Sequence, residues 1–261
     1  MKEIRLCDDC QKGFTAELCI QNGLGIEVQT FYDPYIPEPE KALAEYLRLL
    51  PRIPGGRSLH APFWELNSGT RMRGIRAETM AMFEYAYLTA EKLGCTEIIV
   101  HNGYIPGTSP EPRWVERAAA FWREFFRDKD GSVTMCIENQ FERDSEVLAM
   151  VIDAVHDPRL KICLDTGHAH ANSDMPVEEW VTSLGSRIGY LHLHNNHGKR
   201  KIKGHNDDEH LSLTDGTIDM KNILTLLEQH APDAVWAIEA GPEYLKDSIA
   251  FLQKAGYLHK K

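Results

Sequence analysis

Short apolar runs alternate with longer amphipathic segments along the whole chain. The runs fall near residues 2–7, 24–31, 57–61, 96–101, 133–138, 160–165, 188–194 and 234–239. They are short and rich in Ile, Val and Leu, the character of strands. Between them, residues 12–22, 38–50, 76–93, 112–127, 144–156, 176–184, 219–230 and 243–255 carry helical periodicity. In one of these segments Leu148, Val151, Ile152 and Val155 recur at i, i+3, i+4 and i+7, which makes one apolar stripe. Asp144 or Ser145 is placed to cap that helix, and Pro158 to stop it. Strict alternation of strands and helices predicts a parallel sheet. At this length the pattern predicts a single-domain α/β fold, a (β/α)8 TIM barrel, over residues 1–261. The competing arrangement, an open doubly wound sheet, calls for a glycine-rich phosphate loop after the first strand. No G-x-G-x-x-G or G-x-x-x-x-G-K occurs in the chain.

Most of the runs end on an ionisable residue: SLH at His60, IIVH at His101, MCIE at Glu138, ICLD at Asp165, YLHLH at His192 and His194, and WAIE at Glu239. A charge capping a buried strand is costly unless something pairs with it. In a (β/α)8 barrel all C-terminal strand ends open on one face, so these side chains should converge there. Glu138 and Glu239 would repel unless a cation or a proton lies between them. Asp165 and His168, three residues apart, could reach the same point. His192 and His194 share one strand face, and either could be the seventh strand's contribution. Asp208 and His210 fit a second ion clamp, but in a polar loop they read slightly better as solvated residues. Ligands of oxygen and imidazole nitrogen suit zinc, manganese, cobalt or iron, and a carboxylate-rich subset suits manganese or magnesium. Residues two apart in a strand point the same way. Ser58, Ile99, Thr134, Cys136, Cys163, Val235 and Ala237 should therefore line the barrel below the site.

A net charge of -10 argues against a nucleic-acid surface over the chain as a whole, although bound ions add positive charge that composition does not count. One basic stretch, residues 197–205, stands apart, and its Lys199, Arg200 and Lys201 are candidates for binding an anion at the mouth of the site. Arg71, Arg73 and Arg76 are placed to act similarly. The six cysteines follow a polar start, which predicts reduced thiols and a cytoplasmic protein. Cys7 and Cys10 form a C-x-x-C without a second pair, and Cys136 and Cys163 read as buried thiols. No apolar run approaches the ~18 residues that a membrane helix needs.

Several of these motifs resemble the xylose isomerase-like TIM barrels, a group that includes endonuclease IV, the ketose 3-epimerases, hydroxypyruvate isomerase and sugar-phosphate isomerase/epimerase relatives. They are CIEN around Glu138, CLDTGHAH with Asp165 and His168, YLHLHNN, the DEHL-to-DGTID stretch from Asp208, and AIEAG around Glu239. The resemblance covers nearly the whole chain, and the DEHL-to-DGTID stretch is its most specific part. For the sugar-isomerising members it implies one divalent ion on Glu138, Asp165, His192 or His194, and Glu239. The two glutamates would then act as acid and base, with His168 against the substrate. For endonuclease IV it implies a trinuclear zinc site on His60, His101, Glu138, Asp165, His168, a histidine of the seventh strand, Asp208, His210 and Glu239. Asn195 stands where many relatives are acidic, Thr214 and Asp215 replace a Gly-Glu pair, and the basic stretch is longer than in the compact isomerases. The leading expectation is a metal-dependent sugar or sugar-phosphate isomerase/epimerase working through an enediolate, with a small carbohydrate as partner. The alternative is an endonuclease IV-like, zinc-dependent phosphodiester hydrolase at abasic DNA, which the acidic composition disfavours. A homo-oligomer is left open.

Overall fold

The computed structural model describes residues 2–9, 11–199 and 208–259. Eight parallel strands close into a barrel in chain order. They are β1 (Ile4–Cys7), β2 (Gly25–Val28), β3 (Arg57–His60), β4 (Glu97–His101), β5 (Thr134–Glu138), β6 (Leu160–Asp165), β7 (Ile188–Leu193) and β8 (Val235–Ile238). Around them lie α1 (Lys12–Asn22), α2 (Pro39–Leu49), α3 (Arg73–Leu93), α4 (Glu111–Phe125), α5 (Glu146–Val155), α6 (Thr166–Asn172), α7 (Val177–Leu184), α8 (Met220–His230) and α9 (Leu245–Lys254). The chain is therefore the (β/α)8 barrel that the alternation predicts, not an open sheet. No described helix is long and apolar enough to cross a membrane.

Strand parity splits the apolar residues into two cores. Outward-facing side chains such as Leu6, Ile26, Leu59, Ile98, Ile137, Leu164, Leu191 and Trp236 join the large core under the helices. Cys7, Ile99, Cys136, Cys163, Tyr190, Val235 and Ala237 form a separate cluster inside the barrel. Ser58 belongs with them, since its hydroxyl lies 2.6 Å from that of Tyr190. Below this layer the guanidinium of Arg5, 1% exposed, pairs with Glu97 and with Glu3. The floor is thus plugged by ions and the middle by small apolar groups. The remaining inward-facing polar side chains gather at the top.

The helices follow the sequence with local corrections. In α5, Val147, Leu148, Val151 and Val155 are buried. Its carboxyl end is set by His156, which turns left-handed at φ 54°, two residues before Pro158. Asp144 does act at the other end, accepting the Glu146 backbone N–H at 2.9 Å. The run 24–31 is a strand only to Val28, because Thr30–Tyr32 winds into a single 3-10 turn. The pattern also missed α6, seven residues directly after β6.

Candidate metal centre

The top layer is set by register. His101 pairs with Glu138 across β4 and β5, and Asp165 pairs with His192 across β6 and β7. Each pair is set side by side, while Glu138 pairs with Cys163, one inward position before Asp165 on β6. His60, His101, Glu138, Asp165, His168, His192 and His194 are all buried. A cavity of about 380 Å³ is lined by His60, His101, Glu138 and His168 and also meets Gln29, Asp208, His210 and Glu239.

Glu138 is the hub. Its Oε2 lies 3.4 Å from His60 Nε2 and 3.2 Å from His101 Nε2. Its Oε1 lies 3.2 Å from His168 Nδ1 and 3.3 Å from His192 Nδ1. His192 Nδ1 also faces Glu239 at 3.1 Å and Asp165 at 3.8 Å. His194 instead turns Nε2 to Asp165 at 3.1 Å and stacks on His210 with ring centroids 4.2 Å apart. Of the two β7 histidines, His192 is the one whose free nitrogen meets three carboxylates. Asp208 accepts no solvated-loop role: it lies 3.3 Å from His168 Nε2 and 3.1 Å from His210 Nε2. The slight preference for Asp208 and His210 as loop residues is therefore corrected.

The hydrogen bonds on the far side of each imidazole say what these nitrogens face. His60 Nδ1 lies 2.9 Å from the Ala61 carbonyl, and His210 Nδ1 lies 2.8 Å from the Glu239 carbonyl. His168 Nδ1 lies 3.0 Å from the Asn139 carbonyl. A carbonyl only accepts, so each Nδ1 carries a hydrogen. Each Nε2 then presents, in the neutral ring, a lone pair toward a carboxylate oxygen. Lone pair against lone pair is repulsive unless a proton or a metal ion lies between. Imidazoles anchored from behind in this way are the usual support for a metal ligand. His192 is anchored by a carboxylate, since its Nε2 lies 3.1 Å from Glu27. Oε2 of Glu138, Oε2 of Glu239 and Nδ1 of His192 are buried yet make no hydrogen bond.

Charge behaves accordingly. Burial opposes ionisation of Glu138, yet His192 and His101 hold its carboxyl well below the usual carboxylate range. Against the same opposition, His168 and His194 bring Asp165 down to about 2. Burial disfavours a charged His210, but Asp208 and Glu239 raise it to about 10. Against burial, His168 is raised by Asp165, Asp208 and Glu138, and His192 by Cys163 and then by Glu239, Glu27 and Glu138. In each case positive charge is demanded among buried carboxylates.

Ligand-capable atoms within 4.8 Å of one another form several groups: His60, His101 and Glu138; His168, Asp208 and His210; His194, His210 and Glu239. A further group joins Cys7, Glu27, His192 and Glu239. The sequence reading noted Cys7 only in a C-x-x-C without a second pair and missed Glu27, although a lone carboxylate inside GIEV is the same kind of signal as the strand-end residues it used. It also missed Gln29, whose Nε2 donates to Glu239 Oε1 at 2.7 Å. The anion-binding candidates fare differently. Lys199 pairs with Asp174 at 2.6 Å on the surface, and Arg200 and Lys201 lie outside the described residues, as does Cys10. Arg76 pairs with Glu124 at 2.8 Å, and none of Arg71, Arg73 and Arg76 lines the cavity. The five described cysteines are free and buried, and burial pushes the Cys136 and Cys163 thiols well up, as expected of inert groups below the site.

The family model "Xylose isomerase-like TIM barrel" matches residues 15–255. The chain is 25% identical over 204 residues to a "Probable endonuclease 4" of Mycobacterium ulcerans (strain Agy99), covering 75% of this chain and 77% of that one. Two solved structures share the fold. The TTHB071 protein from Thermus thermophilus, soaked with ZnCl2, superposes with a TM-score of 0.74 at 24% identity over 97% of both chains. A D-tagatose 3-epimerase-like protein superposes with a TM-score of 0.76 at 21% identity, over 97% of this chain and 96% of its own. By its match over nearly the whole sequence, the chain belongs to the xylose isomerase-like TIM barrel family.

Proposed function

We propose that this protein is a hydrolase of phosphate esters, phosphodiesters included, that works with a cluster of divalent ions, zinc foremost. The observation that carries this reading is the anchored outer set. His60, His168 and His210 each fix Nδ1 on a main-chain carbonyl and aim Nε2 at a carboxylate. A single-ion isomerase calls for His168 against its substrate but not for the anchored His60 and His210, which lie outside the inner four of Glu138, Asp165, His192 and Glu239. This reverses the order of the two expectations drawn from sequence. The similarity to a probable endonuclease 4 supports the same reading.

Bound divalent ions would supply Lewis-acid polarisation of a phosphoryl group and would acidify a water. The chain's own residues do the rest. Glu138 offers Oε2 to the group with His60 and His101 and Oε1 to the side of His168 and His192, so it would tie the ligand groups together. Glu27 holds His192, and Gln29 holds Glu239. Phe63 stacks on His101 at 4.6 Å and keeps water from that side.

A second reading has its own observation. Glu138 and Glu239 meet His192 Nδ1 at 3.3 and 3.1 Å, which places two carboxylates around one point. Two-base proton transfer in a sugar isomerase/epimerase needs such a pair. Metal analysis of protein loaded with zinc, together with hydrolysis of bis(p-nitrophenyl) phosphate and ketose epimerisation assays, separates the two. The expected result is about three ions per chain and phosphodiester cleavage, with Asp208→Asn losing about one ion and at least 100-fold in rate. One ion per chain with epimerisation and no cleavage would overturn the hydrolase reading in favour of the isomerase.

A further inference from the structure

Beside the metal-site cavity lies a second one, of about 270 Å³, and the two share Tyr32 and Trp64 as walls. Its lining is apolar: Tyr32, Pro34, Tyr35, Pro62, Trp64 and Met82. Ile75 closes it from α3, and the carboxylates of Glu65 and Glu78 border it. An aromatic chain links the cavities. Phe63 stacks on His101 with ring centroids 4.6 Å apart, Trp64 meets Phe63 edge-on at 5.7 Å, and Tyr32 meets Trp64 at 5.9 Å.

Fold stability does not account for this groove. Trp64 is 58% exposed and Tyr35 is 83% exposed, so the groove keeps apolar surface in water. Clustered exposed aromatics beside a polar site mark a binding surface more often than a packing need. Glu65, next to Trp64, holds a left-handed φ of 55°, a conformation that costs a non-glycine residue energy and fixes the lip of the groove.

We infer that the groove binds a flat, uncharged or cationic aromatic ring carried by the substrate whose anionic end sits among the metal ligands. Ring faces and proline edges accept a flat apolar group, and the ring quadrupoles of Tyr32 and Trp64 accept a cation. Glu65 and Glu78 repel an anion, so the two ends of the substrate are sorted by charge. The metal cavity, rich in imidazole, takes the phosphate, and the acidic-rimmed groove takes the ring. This rests on the phosphate-ester reading above.

The test uses the zinc-loaded full chain with two phosphonate probes and one amine. Phenylphosphonate should bind about tenfold more tightly than methylphosphonate by calorimetry. Tyr35→Ala combined with Ile75→Glu, both at exposed groove positions, should reduce that preference to threefold or less and leave methylphosphonate binding unchanged. Benzylamine, which has no anion for the metal site, should quench tryptophan fluorescence in the wild type but not in Trp64→Phe. Equal binding of the two phosphonates would overturn the inference. Failure of both phosphonates with benzylamine quenching intact would sink the phosphate-ester reading and leave the ring site standing. Failure of all three probes would sink both.

Discussion

Glu142 shows how much a single buried carboxyl decides. It is 4% exposed and accepts the Gln140 backbone N–H at 2.8 Å, and burial pushes it up to about 7. Its ordinary value is 4.5, so the folded state holds the proton that the unfolded chain releases above that pH. Stability from this residue is full below pH 4.5 and is lost as pH rises through about 7. Glu142→Gln removes the penalty. In urea melts the variant should match the wild type near pH 5 and exceed it at pH 8 by on the order of 3 kcal/mol. Parallel pH profiles for the two proteins would contradict the shift. At this scale the sequence was legible wherever an ionisable residue ended an apolar run, as at His101, Glu138 and Asp165. It was illegible where the partner came from a distant strand. Nothing local to Glu27 or Gln29 tells that one holds His192 and the other Glu239, because those contacts span 165 and 210 positions. Asp208 and His210 were legible only as an unpreferred second clamp, since a charged residue in a polar loop needs no explanation until the fold brings it inward.

Helix α6 carries the element-scale lesson. Asp165 serves twice: its Oδ1 accepts the His168 backbone N–H at 2.6 Å, capping α6, and the same carboxylate meets His194. One carboxylate thus both caps the helix and faces the imidazoles of the site. The helix was missed because seven residues with no apolar stripe give no periodic signal. Its Gly167 is required by close approach, for a Cβ there would lie 1.9 Å from His194 Cε1. That ring is fully buried and already stacked on His210, so it has nowhere to go. Gly167→Ala should destabilise the fold by about 1–3 kcal/mol. Gly74→Ala, in the first turn of α3 with open space around it, should be neutral or stabilising by up to about 1 kcal/mol. Chemical denaturation of the pair checks both, and similar losses in the two would show that the His194 contact is not the cause.

The whole molecule was the most legible level, because eight alternations leave few topologies open and the interior layers follow from strand parity alone. It also concentrates risk. Five carboxylates, Glu27, Glu138, Asp165, Asp208 and Glu239, gather at one end of a chain of net charge -10. Ions bound there would stabilise the barrel by mass action, by about 4 kcal/mol at a thousandfold excess over Kd. Stripping them with a chelator should lower the melting temperature by roughly 10 °C, and zinc should restore it. Calorimetry that finds the same transition before and after chelation would exclude a stabilising ion. One small feature sets how such a site can diversify. Asn195 and Leu211 form an isolated antiparallel bridge at 3.2 and 3.0 Å, and the Gly241 backbone N–H holds the His210 carbonyl at 2.8 Å. Chain enters and leaves the loop between β7 and α8 through this clasp, with His210 fastened at its root. The place of His210 is thus set by main-chain bonds next to it, so substitutions elsewhere in the loop can change what the protein admits while this imidazole keeps its place.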